Sequence, residues 1–191
     1  MRHARKIFSL VLTLLLIFGA ALSVGATDAQ AASTSWNFKN SSFKNLGTIS
    51  STKTVDGLTL VATSTKTMSV KAENATVDGT SYTYCLALGG TGDKNGRAVK
   101  VPVSGNSTIK VVLKSSGNSS RKLTVANSNG NSIGTLKAST TASLQTYNYT
   151  GSSGYVYLYS AGSGINIYKI QVDSSSSSSS SSNNSSSSSS S

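Results

Sequence analysis

From residue 57 to residue 172, apolar and polar side chains alternate with a period of two, segment after segment, between clusters of Gly, Ser and Asn. Alternation of that kind puts every second side chain on one face, the pattern of a strand buried on one side and solvated on the other. In Gly57-Leu58-Thr59-Leu60-Val61-Ala62-Thr63 the leucines share one face and the threonines the other. Tyr82 to Leu88 reads as an apolar strand closed by Gly89-Gly90-Thr91-Gly92, whose glycines suit a tight turn. Ala98-Val99-Lys100-Val101-Pro102-Val103 turns three valines inward and Lys100 and Pro102 outward. Proline lacks the ladder donor, so this strand is expected at a sheet edge or beside a bulge. Residues 108–114, 121–127, 132–137, 145–150, 155–160 and 165–172 continue the alternation with short polar turns between them. No segment after residue 32 carries apolar residues at helical spacing, so the expectation is all-β. Ten or so short strands cannot each bury a face in one flat sheet. An antiparallel two-sheet β-sandwich, jelly-roll-like, solves that problem, and the absence of a fixed repeat argues against a solenoid.

The two ends differ from this middle. Arg2, His3, Arg5 and Lys6 precede an apolar stretch from Ile7 to Val24, and Ala29-Gln30-Ala31 follows with the small-x-small pattern that signal peptidase accepts. Residues 1–31 are therefore expected to be a signal peptide, with Val24-Gly25-Ala26 as a second cleavage option, and the mature protein to be secreted and extracellular. At the other end Ser174 to Ser182, Asn183-Asn184 and Ser185 to Ser191 form a poly-serine tract. Small polar side chains cannot bury enough apolar area to offset backbone ordering, so residues 174–191 are read as a disordered linker to a further unit. That leaves residues 32–173 as one domain of ordinary size, expected to be monomeric.

Taking Arg2, Arg5, Lys6 and Asp28 out of the chain's 17 Lys+Arg and 6 Asp+Glu leaves 14 cations against five acids, a net charge near +9. For an extracellular domain without a nucleic-acid motif this points to an anionic partner such as an acidic polysaccharide or a teichoic-acid wall, and no membrane contact is expected once the signal peptide is cleaved. The catalytic inventory is poor. After His3 there is no histidine, and Asp56, Glu73, Asp78, Asp93 and Asp173 show no pair at a spacing that suggests acid/base work. Asp56-Gly57 and Asp78-Gly79 read as hairpin turns. Asp93, in a Gly-rich loop, leaves a structural calcium open as a weak signal, and no other cofactor is implied. Cys85, the single cysteine, has no disulfide partner and reads as a small buried strand residue. The residues favour a binder over an enzyme.

A binder of acidic sugar needs cations for carboxylates and flat apolar faces for pyranose rings. The loop Gly89 to Arg97 offers Lys94 and Arg97, with Lys100 just beyond, and the turn 115–122 adds Arg121 and Lys122. Tyr155, Tyr157 and Tyr159 share one strand face opposite Val156 and Leu158. Two readings stand for that stripe, a sugar-stacking platform or packing between the sheets, and Tyr147 and Tyr149 would extend it. Trp36 reads as a core anchor of the first strand.

Several stretches together resemble the N-terminal accessory domain found ahead of secreted bacterial pectate lyases and joined to them by Ser- or Gly-rich linkers. They are Trp36-Asn37-Phe38, Ser42-Phe43-Lys44-Asn45-Leu46-Gly47, Asp56-Gly57-Leu58-Thr59-Leu60, Leu88-Gly89-Gly90-Thr91-Gly92, Gln145-Thr146-Tyr147-Asn148-Tyr149-Thr150 and Tyr157 to Tyr168, and they span about residues 34 to 172. The resemblance implies a non-catalytic, carbohydrate-binding β-sandwich that targets a polygalacturonate-cleaving lyase domain, beyond Ser191, to pectin. The family pattern has a basic residue near Tyr84-Cys85 that this chain lacks, so Arg97 is the one site residue the resemblance supports. A structural or cell-wall interaction module that retains a secreted protein at the bacterial surface is the alternative.

Overall fold

The computed structural model describes residues 32–175. The expected signal peptide, and the serine tract from residue 176 onward, lie outside the described residues. Thirteen strands are present among them: β1 (Ser33–Asn37), β2 (Thr48–Ile49), β3 (Lys53–Val55), β4 (Leu58–Val61), β5 (Met68–Val77), β6 (Thr80–Ala87), β7 (Ala98–Ser104), β8 (Ser107–Ser115), β9 (Arg121–Ala126), β10 (Ser132–Ala138), β11 (Ser143–Tyr149), β12 (Ser153–Ser160) and β13 (Ile165–Ser174). A single helical turn, α1 (Ser41–Lys44), follows β1. Apart from this turn the described residues form strands and the loops between them, in line with the all-β expectation. One turn is too short to show a helical period, and it forms because it buries Phe43 edge-on against Phe38, ring centroids 5.2 Å apart.

The strands make two antiparallel sheets. A seven-stranded sheet runs β11-β8-β13-β6-β5-β2, with β1 also paired to β13, and a six-stranded sheet runs β10-β9-β12-β7-β4-β3. Their inner faces interdigitate Leu58 and Leu60 from β4, Val99 and Val101 from β7 and Val156 and Leu158 from β12 with Val111 and Leu113 from β8 and Ile170 from β13, all fully buried. Trp36 is buried as expected and donates its indole N–H to the carbonyl of Asp56 at 2.8 Å. Asp56-Gly57 and Asp78-Gly79 make the β3–β4 and β5–β6 turns with positive φ at both residues (50° and 80°, 48° and 74°), the twist that two-residue hairpins require.

Pro102 departs from expectation. β7 is an inner strand of its sheet, between β12 and β4. But β4 reaches only to the Thr59–Lys100 pair, so Pro102 has a neighbouring strand on one side only, opposite Tyr155. A nitrogen turned to that open side can lack its donor without losing a rung. β13 also runs through Ser174, past the expected domain end at residue 173, and the Ser174 and Ser175 amides bond the carbonyls of Ala32 and Asn106. Both ends of the described chain therefore lie together, at the end of the sandwich that holds the β7–β8 turn.

A small second apolar cluster, Val77, Tyr82, Cys85, Val112 and Tyr168, covers part of the outer surface of the seven-stranded sheet. Beside it Glu73 accepts from Lys114 (2.7 Å), Lys71 (3.0 Å) and the Asn166 amide, 2.9 Å to each carboxylate oxygen. Burial opposes ionisation of Glu73, yet the two ammonium groups outweigh it and hold its pKa down at about 2. Cys85 lies within reach of the same carboxylate and is fully buried, which pushes its thiol up to about 12.

Candidate functional site

The alternation of β12 decides where the tyrosines go. Val156 and Leu158 point into the core, so Tyr155, Tyr157 and Tyr159 stand on the outer face of the six-stranded sheet. Tyr155 is 46% exposed, and the other two are half-buried. The inter-sheet packing that the sequence left open is excluded for this stripe. Directly across from Tyr157 and Tyr159 on β9 sit Ala126 and Thr124, both buried although on this outer face. These small side chains lie below the level of the rings beside them, so the tyrosines form the top of the face.

Cations flank the stripe. Lys100 on β7 pairs with Tyr157 in register, and its Nζ lies 4.0 Å from the centroid of the Tyr155 ring. At the other end the Lys94 stem lies over Gly130, whose carbonyl accepts a long bond (3.4 Å) from the Tyr159 hydroxyl. Lys122 on β9 is two residues from Thr124, the residue opposite Tyr159, and is therefore its diagonal neighbour on the same face. Six of the eight expected site residues thus share one surface: Lys94, Lys100, Lys122, Tyr155, Tyr157 and Tyr159.

Arg97 and Arg121 play another part. Arg97 has φ 59°, and its guanidinium donates to the carbonyls of Thr67 (2.9 Å) and Thr91 (3.1 Å). Arg121 donates to Ser116 Oγ (2.9 Å) and to the Gly164 carbonyl. Both lace together the loops at one end of the sandwich, where the Gly92 amide also bonds the Ser160 carbonyl at 2.7 Å. Close approach there leaves no room for a side chain at Gly92, since a Cβ would fall 2.4 Å from the Arg97 carbonyl oxygen. Tyr147 and Tyr149 do not extend the stripe. They belong to β11 of the other sheet, pack against the main core, and donate their hydroxyls to the carbonyls of Ile133 and Ser152.

The acids are distributed just as unevenly. None of β3, β4, β7, β9, β10 and β12 contains Asp or Glu. Glu73 and Asp173 lie on the seven-stranded sheet and neutralise Lys71, Lys114 and Lys110 there. Asp93, considered for calcium, pairs with Lys66 and accepts the Asn95 amide at 2.7 Å. Among the described residues no group of three or more His, Cys, Asp or Glu comes together as a metal site would require. A concavity of about 260 Å³ on the seven-stranded sheet is lined by Tyr82, Val112 and Leu144 among others, but its lysines are engaged, Lys110 by Asp173 and Lys169 by Gln171. The six-stranded face is the one that combines exposed rings with cations free of carboxylate partners among the described residues. What the sequence missed is Lys137, placed opposite Lys122 by the β9–β10 register. Only strand pairing could have shown it.

No family model matches the chain, and no curated protein matches it. Among solved structures it is similar to a chain from work on glycan recognition in the Ruminococcus flavefaciens cellulosome, at 15% identity and TM-score 0.45, over 76% of this chain and 96% of that one. A family 35 carbohydrate-binding module from Clostridium thermocellum is similar at 13% identity and TM-score 0.37, over 68% of this chain and 99% of that one. The C-terminal CBM6 module of a marine laminarinase from Zobellia galactanivorans follows at 15% and 0.34, over 74% and 99%. Likeness at this level carries no argument about what this chain does, and the β-sandwich description rests on the strand pairing itself.

Proposed function

We propose that this protein is a non-catalytic binding module for acidic polysaccharide, with polygalacturonate as the expected ligand, and that it is secreted and holds a pectin-degrading lyase domain on that substrate. The observation that carries the reading is the outer face of the six-stranded sheet. There a row of three tyrosines, one with an ammonium 4.0 Å from its ring centroid, lies on strands without a single carboxylate. An extended sugar chain lying along β12 stacks its rings on the tyrosines and presents its carboxylates to Lys100, Lys94 and Lys122.

Covering about 50 Å² of one ring face contributes roughly 1.2 kcal/mol at 25 cal/mol/Å². Each exposed ion pair adds about 0.2–1 kcal/mol. After the cost of association, a few such contacts give weak binding, about millimolar to tens of micromolar. Weak binding suffices for a tethered enzyme, because the tether sets a high local concentration of substrate. The described chain leaves the sandwich near Ser104, whose hydroxyl bonds that of Ser174, beyond the Tyr155 end of the row.

The test is affinity electrophoresis in polygalacturonate, methyl-esterified pectin and cellulose. Tyr157→Ala is expected to weaken retention in polygalacturonate about fivefold to tenfold with an unchanged melting temperature. Retention on purified bacterial wall, with none in polygalacturonate, would replace this reading with a wall-interaction module.

A further inference from the structure

Lys122 and Lys137 face one another across the β9–β10 ladder on the open face of the six-stranded sheet, both exposed. Directly opposed residues of an antiparallel pair have Cβ atoms about 4.5–5.5 Å apart, and like charges in that position destabilise the sheet. Neither lysine takes part in an ion pair among the described residues, and no strand of their sheet supplies an acid. The two line a cleft of about 340 Å³ with Arg121, Gln145, Ser120 and Thr135. Arg121 is fixed there by its bonds to Ser116 and Gly164, so its charge is held in place, and the remaining lining groups can donate or accept hydrogen bonds. Two opposed cations, with Arg121 at the margin, line a polar cleft at a cost to the fold that an anion would remove.

We propose that this cleft is an anion subsite that takes an oxyanion borne on the sugar chain, a carboxylate or a sulfate, and that it sets the preference of the tyrosine face for acidic over neutral polysaccharide. The inference rests on the polysaccharide-binding reading of the tyrosine row and extends it. Tyr159 and Lys122 are diagonal neighbours, so a chain stacked along β12 runs past the cleft mouth. Lysine recognises such a group as a point charge and does not read its geometry, so carboxylate and sulfate are distinguished by the assay and not by the site.

The experiment compares the purified wild type with Lys122→Gln, Lys137→Gln and Lys137→Arg by melting temperature at low salt and by affinity electrophoresis. The gels contain polygalacturonate, a sulfated galactan, or fully methyl-esterified pectin as the neutral counterpart. Without polysaccharide, each Gln variant is expected to melt roughly 1–3 °C higher than the wild type, because the opposed charges are relieved. On the acidic gels each is expected to be retained about three- to fivefold less, with retention on methyl-esterified pectin unchanged and Lys137→Arg behaving like the wild type. Weaker binding together with higher stability is an outcome that mere structural damage cannot give. Retention confined to polygalacturonate assigns the carboxylate, and retention confined to the galactan assigns the sulfate. If the wild type is retained and both Gln variants match it on every gel, the subsite is overturned while the tyrosine face stands. If the wild type is retained on no gel, the polysaccharide-binding reading and the subsite fall together.

Discussion

Glu73→Gln tests the electrostatics of the fold more sharply than any other substitution. The carboxylate sits between Lys114 and Lys71, at 2.7 and 3.0 Å, and also accepts from Asn166 on β13, so it ties β5 to β8 and β13 on the outer surface of the seven-stranded sheet. Its folded pKa of about 2 lies below its ordinary value of 4.5. A depressed carboxyl pKa means that the unfolded chain binds more protons between those values, so stability rises with pH across the window. The stabilisation is fully present above about pH 4.5 and is lost as pH falls toward 2. At 1.36 kcal/mol per pH unit the shift is worth roughly 3 kcal/mol. Removing one partner of a buried pair costs about 3–5 kcal/mol, which this partly exposed site approaches from below. Urea unfolding at pH 7 is expected to show Glu73→Gln about 3 kcal/mol less stable than the wild type, a loss of roughly 6–12 °C in melting temperature. The gap closes as pH approaches 2, because protonated Glu and Gln are then alike. Asp173, whose pKa Lys110 and the Ser33 hydroxyl also hold at about 2, leaves a residual acid slope that Asp173→Asn removes. Equal stability of the two proteins at pH 7, or parallel profiles down to pH 2, would refute the reasoning.

Two further outcomes follow from the same geometry. Cys85 is fully buried, with its thiol pushed up to about 12, so iodoacetamide at pH 8 is expected to leave the native protein unmodified and to label it only in denaturing urea; labelling of the native state at the rate of a free thiol would contradict its placement. Arg97→Ala is expected to cost about 2 kcal/mol in stability through its lost bonds to Thr67 and Thr91, with polysaccharide retention unchanged at a temperature where the variant is folded; a fall in retention at unchanged stability would return Arg97 to the binding surface.

The sandwich was legible because a period of two is visible in any strand with one buried face, as in Leu58 and Leu60 or Val99, Val101 and Val103. β5 was not, because Lys71, Ala72, Glu73 and Asn74 interrupt the alternation where the ladder shifts register between Ala72 and Ala75. The tyrosine row shows the limit for the site. Tyr155, Tyr157 and Tyr159 alternate with Val156 and Leu158, and both sets are apolar enough for a core. Tyrosine tolerates water through its hydroxyl and the aliphatic residues do not, but that preference is too weak to choose a face without the packing of the opposite sheet. For the cations, sequence distance misled. Arg97 lies near Lys94 and Lys100 in the chain, yet a left-handed backbone turns it toward the carbonyls of Thr67 and Thr91, while Lys137 reaches Lys122 only through strand pairing.

The central claim is that an acid-free, tyrosine-bearing sheet face holds an acidic sugar chain by stacking and by charge. The most direct measurement is the dissociation constant of the purified protein for polygalacturonate at about 20 mM and about 500 mM salt. Screening over about 3–10 Å at the higher ionic strength removes most of the exposed ion-pair contribution and leaves the stacking. Tenfold or greater weakening at high salt, with residual binding that Tyr157→Ala weakens a further fivefold to tenfold, is the predicted result. Affinity unchanged by salt, or no binding at low salt, would contradict the account.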